Sequence, residues 1–338
     1  MQLEFTAEQE ELRSSARAVL VRECPVSLVR EVVEKAATAD DLWSRMVDLD
    51  WPALTVPEEH GGIGLGFMEL TVVLEEMGRV VAPGPFLATV SQFAPVIRET
   101  GSDEQQARFL GAVARGEITG AVAFDSGPTV GAATADEVIV VDGDRVVVAR
   151  QEQLDVAPVD PLDKTRPLAR VSLAGPVDAD RVLARPERLP RALEEATVAL
   201  AVEMVGTCQA LFDMTLQYAK DREQFGVPIG SFQAVKHKLA DMYVALERAR
   251  ASVYFAALTI AEDDERRSTA TAMAKAAAGD AQRLIAQEAI QVHGGVGYTW
   301  EHDLHLYVKR AKSGDALLGT AAQQRRRLGA ALGLPAGG

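Results

Sequence analysis

Apolar residues recur at helical spacing through the first part of the chain. Thr6 and Gln9 form a capping box, Leu12, Ala16, Val19 and Leu20 follow on one face, and Pro25 closes the segment. A second periodic run covers Asp40 to Leu49. Trp51 to Pro57 and Gly61-Gly62-Ile63-Gly64-Leu65-Gly66 then read as a loop rich in chain breakers, and Phe67 to Val80 returns to helical spacing through Leu70, Val73, Leu74 and Met77. From Glu117 the texture changes. Ile118 to Phe124, Glu137 to Val141 and Arg145 to Ala149 are short β-branched runs, with Asp142-Gly143 as a hairpin signal between the last two. Prolines 158, 161, 167, 176, 186 and 190 punctuate the chain up to Leu193. Long helical segments then begin near Leu193, Ser231 and Thr269, with an alanine-rich face at Ala270 to Ala278 suited to close helix packing. The pattern predicts a mainly α protein with a small β domain: a helical domain at 1–116, a β domain at 117–188 and a helical bundle at 189–338, whose Ala/Gly ending from Ala330 is expected to fray.

At 338 residues, with 48% hydrophobic and 25% charged residues, the chain is expected to fold as about two domains rather than remain disordered. Its net charge of −14 opposes nucleic acid or an anionic membrane as partner, though not a polyanionic cofactor held by local cations and backbone N–H groups. Cys24 and Cys208 are the two cysteines, and their separation suggests neither a disulfide framework nor a zinc site. Met1 to Phe5 lack the basic-then-apolar pattern of a leader, and no uninterrupted apolar run approaches membrane-spanning length. A soluble, untargeted, cytoplasmic protein is the expectation.

The glycine-rich loop is neither G-x-G-x-x-G after a strand nor a P-loop, and no G-x-S-x-G elbow supports a hydrolase. His302, Asp303 and His305 have the spacing of a metal pair on a helix, but no metal is assigned to them. Two segments carry more. In Asp221-Arg222-Glu223-Gln224-Phe225-Gly226-Val227-Pro228-Ile229-Gly230-Ser231-Phe232-Gln233, an arginine follows a helix and precedes a turn, placed to grip a diphosphate or to pair with Asp221 or Glu223. In Gln291-Val292-His293-Gly294-Gly295-Val296-Gly297-Tyr298, an amide and two glycines offer unencumbered backbone.

Taken together with Leu239-Ala240-Asp241-Met242 and with Val73-Leu74-Glu75-Glu76-Met77-Gly78-Arg79, these segments resemble the acyl-CoA dehydrogenase family over most of the chain. The resemblance implies that family's fold: an N-terminal helical domain, a middle β domain, here reduced, and a C-terminal bundle of four-helix type. It also implies FAD as cofactor, an acyl-CoA as substrate and an electron-transfer flavoprotein as acceptor. In the family these motifs reach the flavin of a neighbouring subunit, so Arg222, Gln224, Phe225, Gln233, Gln291, Val292, His293, Gly294 and Gly295 become the expected FAD contacts.

The chain departs from the family in what a subunit keeps for itself. Ala123-Phe124-Asp125-Ser126-Gly127-Pro128 replaces a flavin-cradling loop, and no tryptophan lies between Trp51 and Trp300. The family's catalytic glutamate falls at Leu318 in Leu317-Leu318-Gly319-Thr320, or at Ala196 in the alternative arrangement, whose neighbouring arginine is replaced by Thr197. Proton abstraction needs a carboxylate, which neither position supplies. Glu195 is the nearest candidate base, read otherwise as a solvated charge near a helix start, and Glu203 is another. The resemblance points to the shortened, base-lacking subunit of α2β2 steroid-CoA dehydrogenases of actinobacteria, with a homologous partner carrying the base. A self-sufficient homotetramer using Glu195, and a scaffold subunit without flavin, are the alternatives.

Overall fold

A computed structural model describes residues 5–334, so Met1 to Glu4 and the last four residues of the Ala/Gly ending lie outside the described residues. Four helices come first: α1 (Ala7–Glu23), α2 (Val26–Lys35), α3 (Asp40–Asp48) and α4 (Phe67–Arg79). A one-turn α5 (Phe86–Ala88) runs through a π segment (Thr89–Phe93) into α6 (Ala94–Thr100), and α7 (Asp103–Ala114) follows. Six strands come next: β1 (Gly120–Ala123), β2 (Thr129–Val130), β3 (Glu137–Asp142), β4 (Arg145–Arg150), β5 (Leu154–Val159) and β6 (Leu168–Leu173). The remainder is α8 (Leu189–Asp221), the hairpin β7 (Glu223–Gln224) and β8 (Val227–Pro228), then α9 (Gln233–Ala261), α10 (Arg267–His293), α11 (Leu304–Ala316) and α12 (Ala321–Ala331). The mainly α fold with a small β part is as the pattern predicts, and the Thr6/Gln9 capping box is formed on both sides.

Three elements depart from the expectation. Pro25 ends α1 but also sits just ahead of α2, which the pattern reading passes over; a proline entering a helix loses no hydrogen bond that the first turn would have used. Strands β5 and β6 lie in the proline-punctuated stretch. Pro158 pairs with Ala169 inside β5, which is tolerated because β5 is the outer strand in the order β2-β6-β5. Among the described residues one helix, 186–221, is long and apolar enough by composition to cross a membrane, and 83% of its apolar window is buried inside the protein.

Close contacts divide the chain into two compact units, one made of 1–26, 71–82 and 200–338, the other of 27–70 and 83–199. In the second unit, β3 pairs parallel with β1 and antiparallel with β4. Val138 and Val140 pack with Val147 and Ala149 on one face beside Leu154 and Ala169. Ile139, Val146 and Val148 pack on the other against Phe93, Ile97, Phe109 and Val113. Burial on both faces explains why these strands read as continuous β-branched runs rather than alternating ones. Gly143 turns β3 into β4 with φ of 61°.

The first unit is the bundle. Ala270, Ala274, Ala278, Ala281 and Ala289 are buried along α10, which packs against α9, α11 and α12. The Lys238 ammonium on α9 meets the Glu288 carboxylate on α10, so the start of α9 and the end of α10 lie at the same end of the bundle. Residues 71–79 and 200–221 meet backbone to backbone: a Cβ on Gly78 would fall onto the Glu203 carbonyl oxygen, and one on Gly206 onto that of Glu75. Cys24 and Cys208 are free and buried, and burial pushes the Cys24 thiol up to about 12.

Candidate functional site

At one end of the bundle α8 stops at Asp221, and the Arg222 N–H donates to the Tyr218 carbonyl at 2.8 Å, closing the last turn. The backbone then makes a two-residue hairpin: Glu223 and Gln224 pair with Pro228 and Val227, and the loop is Phe225 (φ 57°) and Gly226 (φ 81°). Both lie in the left-handed region, as a turn matched to strand twist requires. That suits glycine but costs an L-residue about 1 kcal/mol or more. Among the described residues the strained one is also the most exposed large apolar residue, with Phe225 93% exposed and its ring edge-on to Phe232 at 6.2 Å.

Arg222 is exposed, and among the described residues its guanidinium has no hydrogen bond or ion pair. The bland reading, pairing with Asp221 or Glu223, is not what the geometry shows: Asp221 accepts from Gln217 Nε2 at 2.9 and 2.8 Å instead. Gln224 is exposed and donates to the Glu223 carbonyl at 2.6 Å. Gln233 is exposed at the first position of α9.

Gln291, Gly294 and Gly295 are exposed at the end of α10, and Val292 is half-buried. Gly294 has φ 59° and ψ −137°, a conformation reserved for glycine. At Gly295 a Cβ would meet nothing within 4 Å, so packing inside the chain does not call for a glycine there. Of the expected contacts, His293 alone turns inward. It is 3% exposed and stacks on Tyr218 with ring centroids 4.3 Å apart. Tyr218 thus joins the two motifs, since it also begins the turn that carries Arg222.

His302 and His305 do not converge on a common point. His302 Nδ1 accepts from the Leu304 N–H at 3.1 Å, and His305 lies edge-on to Trp300 at 4.7 Å. No group of three potential metal ligands occurs among the described residues.

The positions where the resemblance expects a base are fully structured. Leu318, half-buried, has φ 53°, and its carbonyl accepts from Gln324 Nε2 at 2.9 Å. Lys275, fully buried on α10, donates to the carbonyls of Gly314 (3.1 Å), Asp315 (3.1 Å) and Gly319 (3.0 Å), holding the end of α11 and the loop after it. Ala196 is buried. Glu195 is not the solvated charge that the sequence suggests: it is 5% exposed and held by Arg98 from α6. Glu203 is 3% exposed and held by Arg310, which also donates to the carbonyls of Val81 and Ala82 at 3.1 Å each. Both carboxylates are committed to guanidinium partners. Arg98, Arg310, Lys275 and Tyr218 escape the sequence reading. A signal existed for two of them: Lys275 is a lone cation inside an apolar run, and Tyr218 stands one helical turn before Arg222.

Comparison with known proteins matches residues 6–117 to the acyl-CoA dehydrogenase N-terminal domain and residues 188–333 to the acyl-CoA dehydrogenase C-terminal domain. Acyl-CoA dehydrogenase IpdE2 of Mycolicibacterium smegmatis is 35% identical over 96% of this chain and 98% of that relative. Among solved structures, the ChsE4-ChsE5 complex of Mycobacterium tuberculosis superposes with a TM-score of 0.89 at 26% identity, covering 99% of this chain and 100% of that one. The Tcur3481-Tcur3483 steroid acyl-CoA dehydrogenase superposes with a TM-score of 0.85 at 28% identity, covering 96% and 98%. The matches to both family domains define a class of flavin-dependent oxidoreductases that act on acyl-CoA. The chain belongs to the acyl-CoA dehydrogenase family, whose cofactor is FAD.

Proposed function

We propose that this chain is the supporting subunit of a heteromeric acyl-CoA dehydrogenase, an α2β2 assembly in which a homologous subunit carries the catalytic base and the main flavin cradle. The observation that carries this reading is the Arg222–Phe225 hairpin. An unpaired guanidinium and an exposed ring on strained backbone, beside an open Gly294-Gly295 loop, fit a diphosphate and a flat heterocycle presented by another chain. Arg222 grips the diphosphate, Gln233 and Gln291 offer amides, and Gly295 admits the cofactor to the backbone. FAD, when bound, supplies the hydride acceptor for α,β-dehydrogenation of the thioester. Because Leu318 and Ala196 cannot take a proton, and Glu195 and Glu203 are held by arginines, the base belongs to the partner. The similar solved structures with two named components support the heteromer, and the steroid acyl-CoA dehydrogenase among them supports a steroid-derived CoA thioester as substrate. Electrons leave to an electron-transfer flavoprotein.

The test is FAD per chain, by absorbance with assembly mass, for the protein alone and co-expressed with its homologous partner. About one flavin per two chains, in the mixed assembly only, is expected from half-site logic. Arg222→Ala in that assembly should weaken FAD retention by about tenfold or more, the loss of a charge-assisted contact worth ~1.5–3 kcal/mol. Retention unchanged in the mutant would point to a scaffold that touches no flavin. Glu195→Gln should leave turnover per flavin within about twofold. Abolished turnover would instead identify Glu195 as the base.

A further inference from the structure

His293 stands in the Gln-x-x-Gly-Gly motif but turns away from the surface that the motif presents. Its Nδ1 lies 2.8 Å from the Ala289 carbonyl, and because a carbonyl only accepts, Nδ1 carries the proton. Nε2 is then a bare lone pair, buried and without a hydrogen-bond partner. One ring face stacks on Tyr218, at an interplanar angle of 22°, and His302 meets the ring edge-on at 4.8 Å. The Tyr218 hydroxyl lies 3.4 Å from the His293 carbonyl, the last before Gly294. Tyr218 from α8 and His302 from the turn ahead of α11 are thus the titratable groups facing it. No hydrogen bond or ion pair joins His293 to a carboxylate among the described residues.

From this geometry we infer that neutral His293 is a positioning residue: with Tyr218 it clamps the Gln291–Gly295 loop to the Arg222 hairpin, so that both reach the cofactor together. The inference rests on the half-site reading above and deepens it. Tyr218 contacts both motifs, one through its backbone and the other through its side chain. Its backbone oxygen seats the Arg222 N–H at 2.8 Å, while its ring seats His293. The clamp requires an uncharged imidazole. A second proton would sit on Nε2, buried without an acceptor and beside another imidazole whose Nδ1 already accepts from the Leu304 N–H. Burial, the larger cause, and His302 both hold His293 below its ordinary value, against the opposing Ala289 hydrogen bond. A group depressed in the folded state contributes fully above its ordinary value of 6.5, and the contribution is lost as pH falls below that. If protonating His293 opens the clamp, the half-site is tight at neutral pH and slackens in acid.

The experiment measures FAD dissociation from the mixed assembly, between about pH 8 and about pH 5.5, for the wild type, His293→Phe, His293→Ala and Arg222→Ala. The wild type should hold FAD more weakly toward the acid end. Phenylalanine keeps the stack on Tyr218 without a titrating nitrogen, so His293→Phe should hold FAD as the wild type does at high pH and lose most of the pH slope. Alanine removes the stack and should weaken FAD at every pH. A merely structural histidine would lower thermal stability in both variants without moving the slope. If His293→Ala retains FAD like the wild type, or the slope survives in His293→Phe, the clamp is refuted. If Arg222→Ala also retains FAD, the half-site reading falls and the clamp with it. If Arg222→Ala loses FAD while His293→Ala does not, only the clamp falls.

Discussion

Replacing Arg310 with alanine should destabilise the protein by about 3–5 kcal/mol, the expected cost of removing one member of a buried ion pair. Arg310 and Glu203 are almost fully shielded, with side-chain exposures of 2% and 4%. The mutation strands a carboxylate in the bundle and strips the donors from the Val81 and Ala82 carbonyls. Equilibrium urea unfolding measures the loss. The double variant Arg310→Met/Glu203→Leu should recover part of it, because two apolar side chains leave no orphaned charge. A single-mutant cost below about 1 kcal/mol would mean that the pair is solvated and that Glu203 is available for chemistry after all.

The second large effect is expected at Gly206. Its Cα faces the backbone of residues 75–79, where a Cβ would collide with the Glu75 carbonyl oxygen and approach the Arg79 nitrogen to 3.1 Å. Backbone cannot rotate away as a side chain can, so Gly206→Ala must spread the two helices. A cost of about 3 kcal/mol, the upper end for overpacking, is expected from the urea midpoint. Gly329 on α12 is the control, since a Cβ there meets nothing within 4 Å. Alanine at Gly329 should be neutral or stabilise by up to ~1 kcal/mol through helix propensity alone. Equal effects at the two sites would show that the close helix contact is not made.

What could be read from the chain follows how far each signal reaches. The Thr6/Gln9 cap, the turn at Gly143 and the long helices starting near Leu189, Gln233 and Arg267 rest on residues a few positions apart, so periodicity and capping chemistry expose them. Strands β5 and β6 hide behind prolines because an outer strand is defined by what pairs with it, not by its own composition. The candidate site divides in the same way. Arg222 and the Gly294-Gly295 pair stand out locally. That Glu195 and Glu203 are held by Arg98 and Arg310, and that His293 faces Tyr218, depend on residues scores of positions apart in the chain. A helical residue's neighbours at three and four positions are predictable, whereas its tertiary neighbours are not.

The Phe225 hairpin has a thermodynamic consequence for the chain as a whole. Its wetted ring is a cost of the isolated folded state that a second surface covering it would remove, and contacts made there would offset the backbone strain. Folding and assembly are then linked equilibria: the folded fraction of this chain rises with the concentration of whatever covers the ring. In the proposed heteromer, copies made in excess over the partner would have only their own core to hold them folded, and the supply of one polypeptide would govern how much of the other persists.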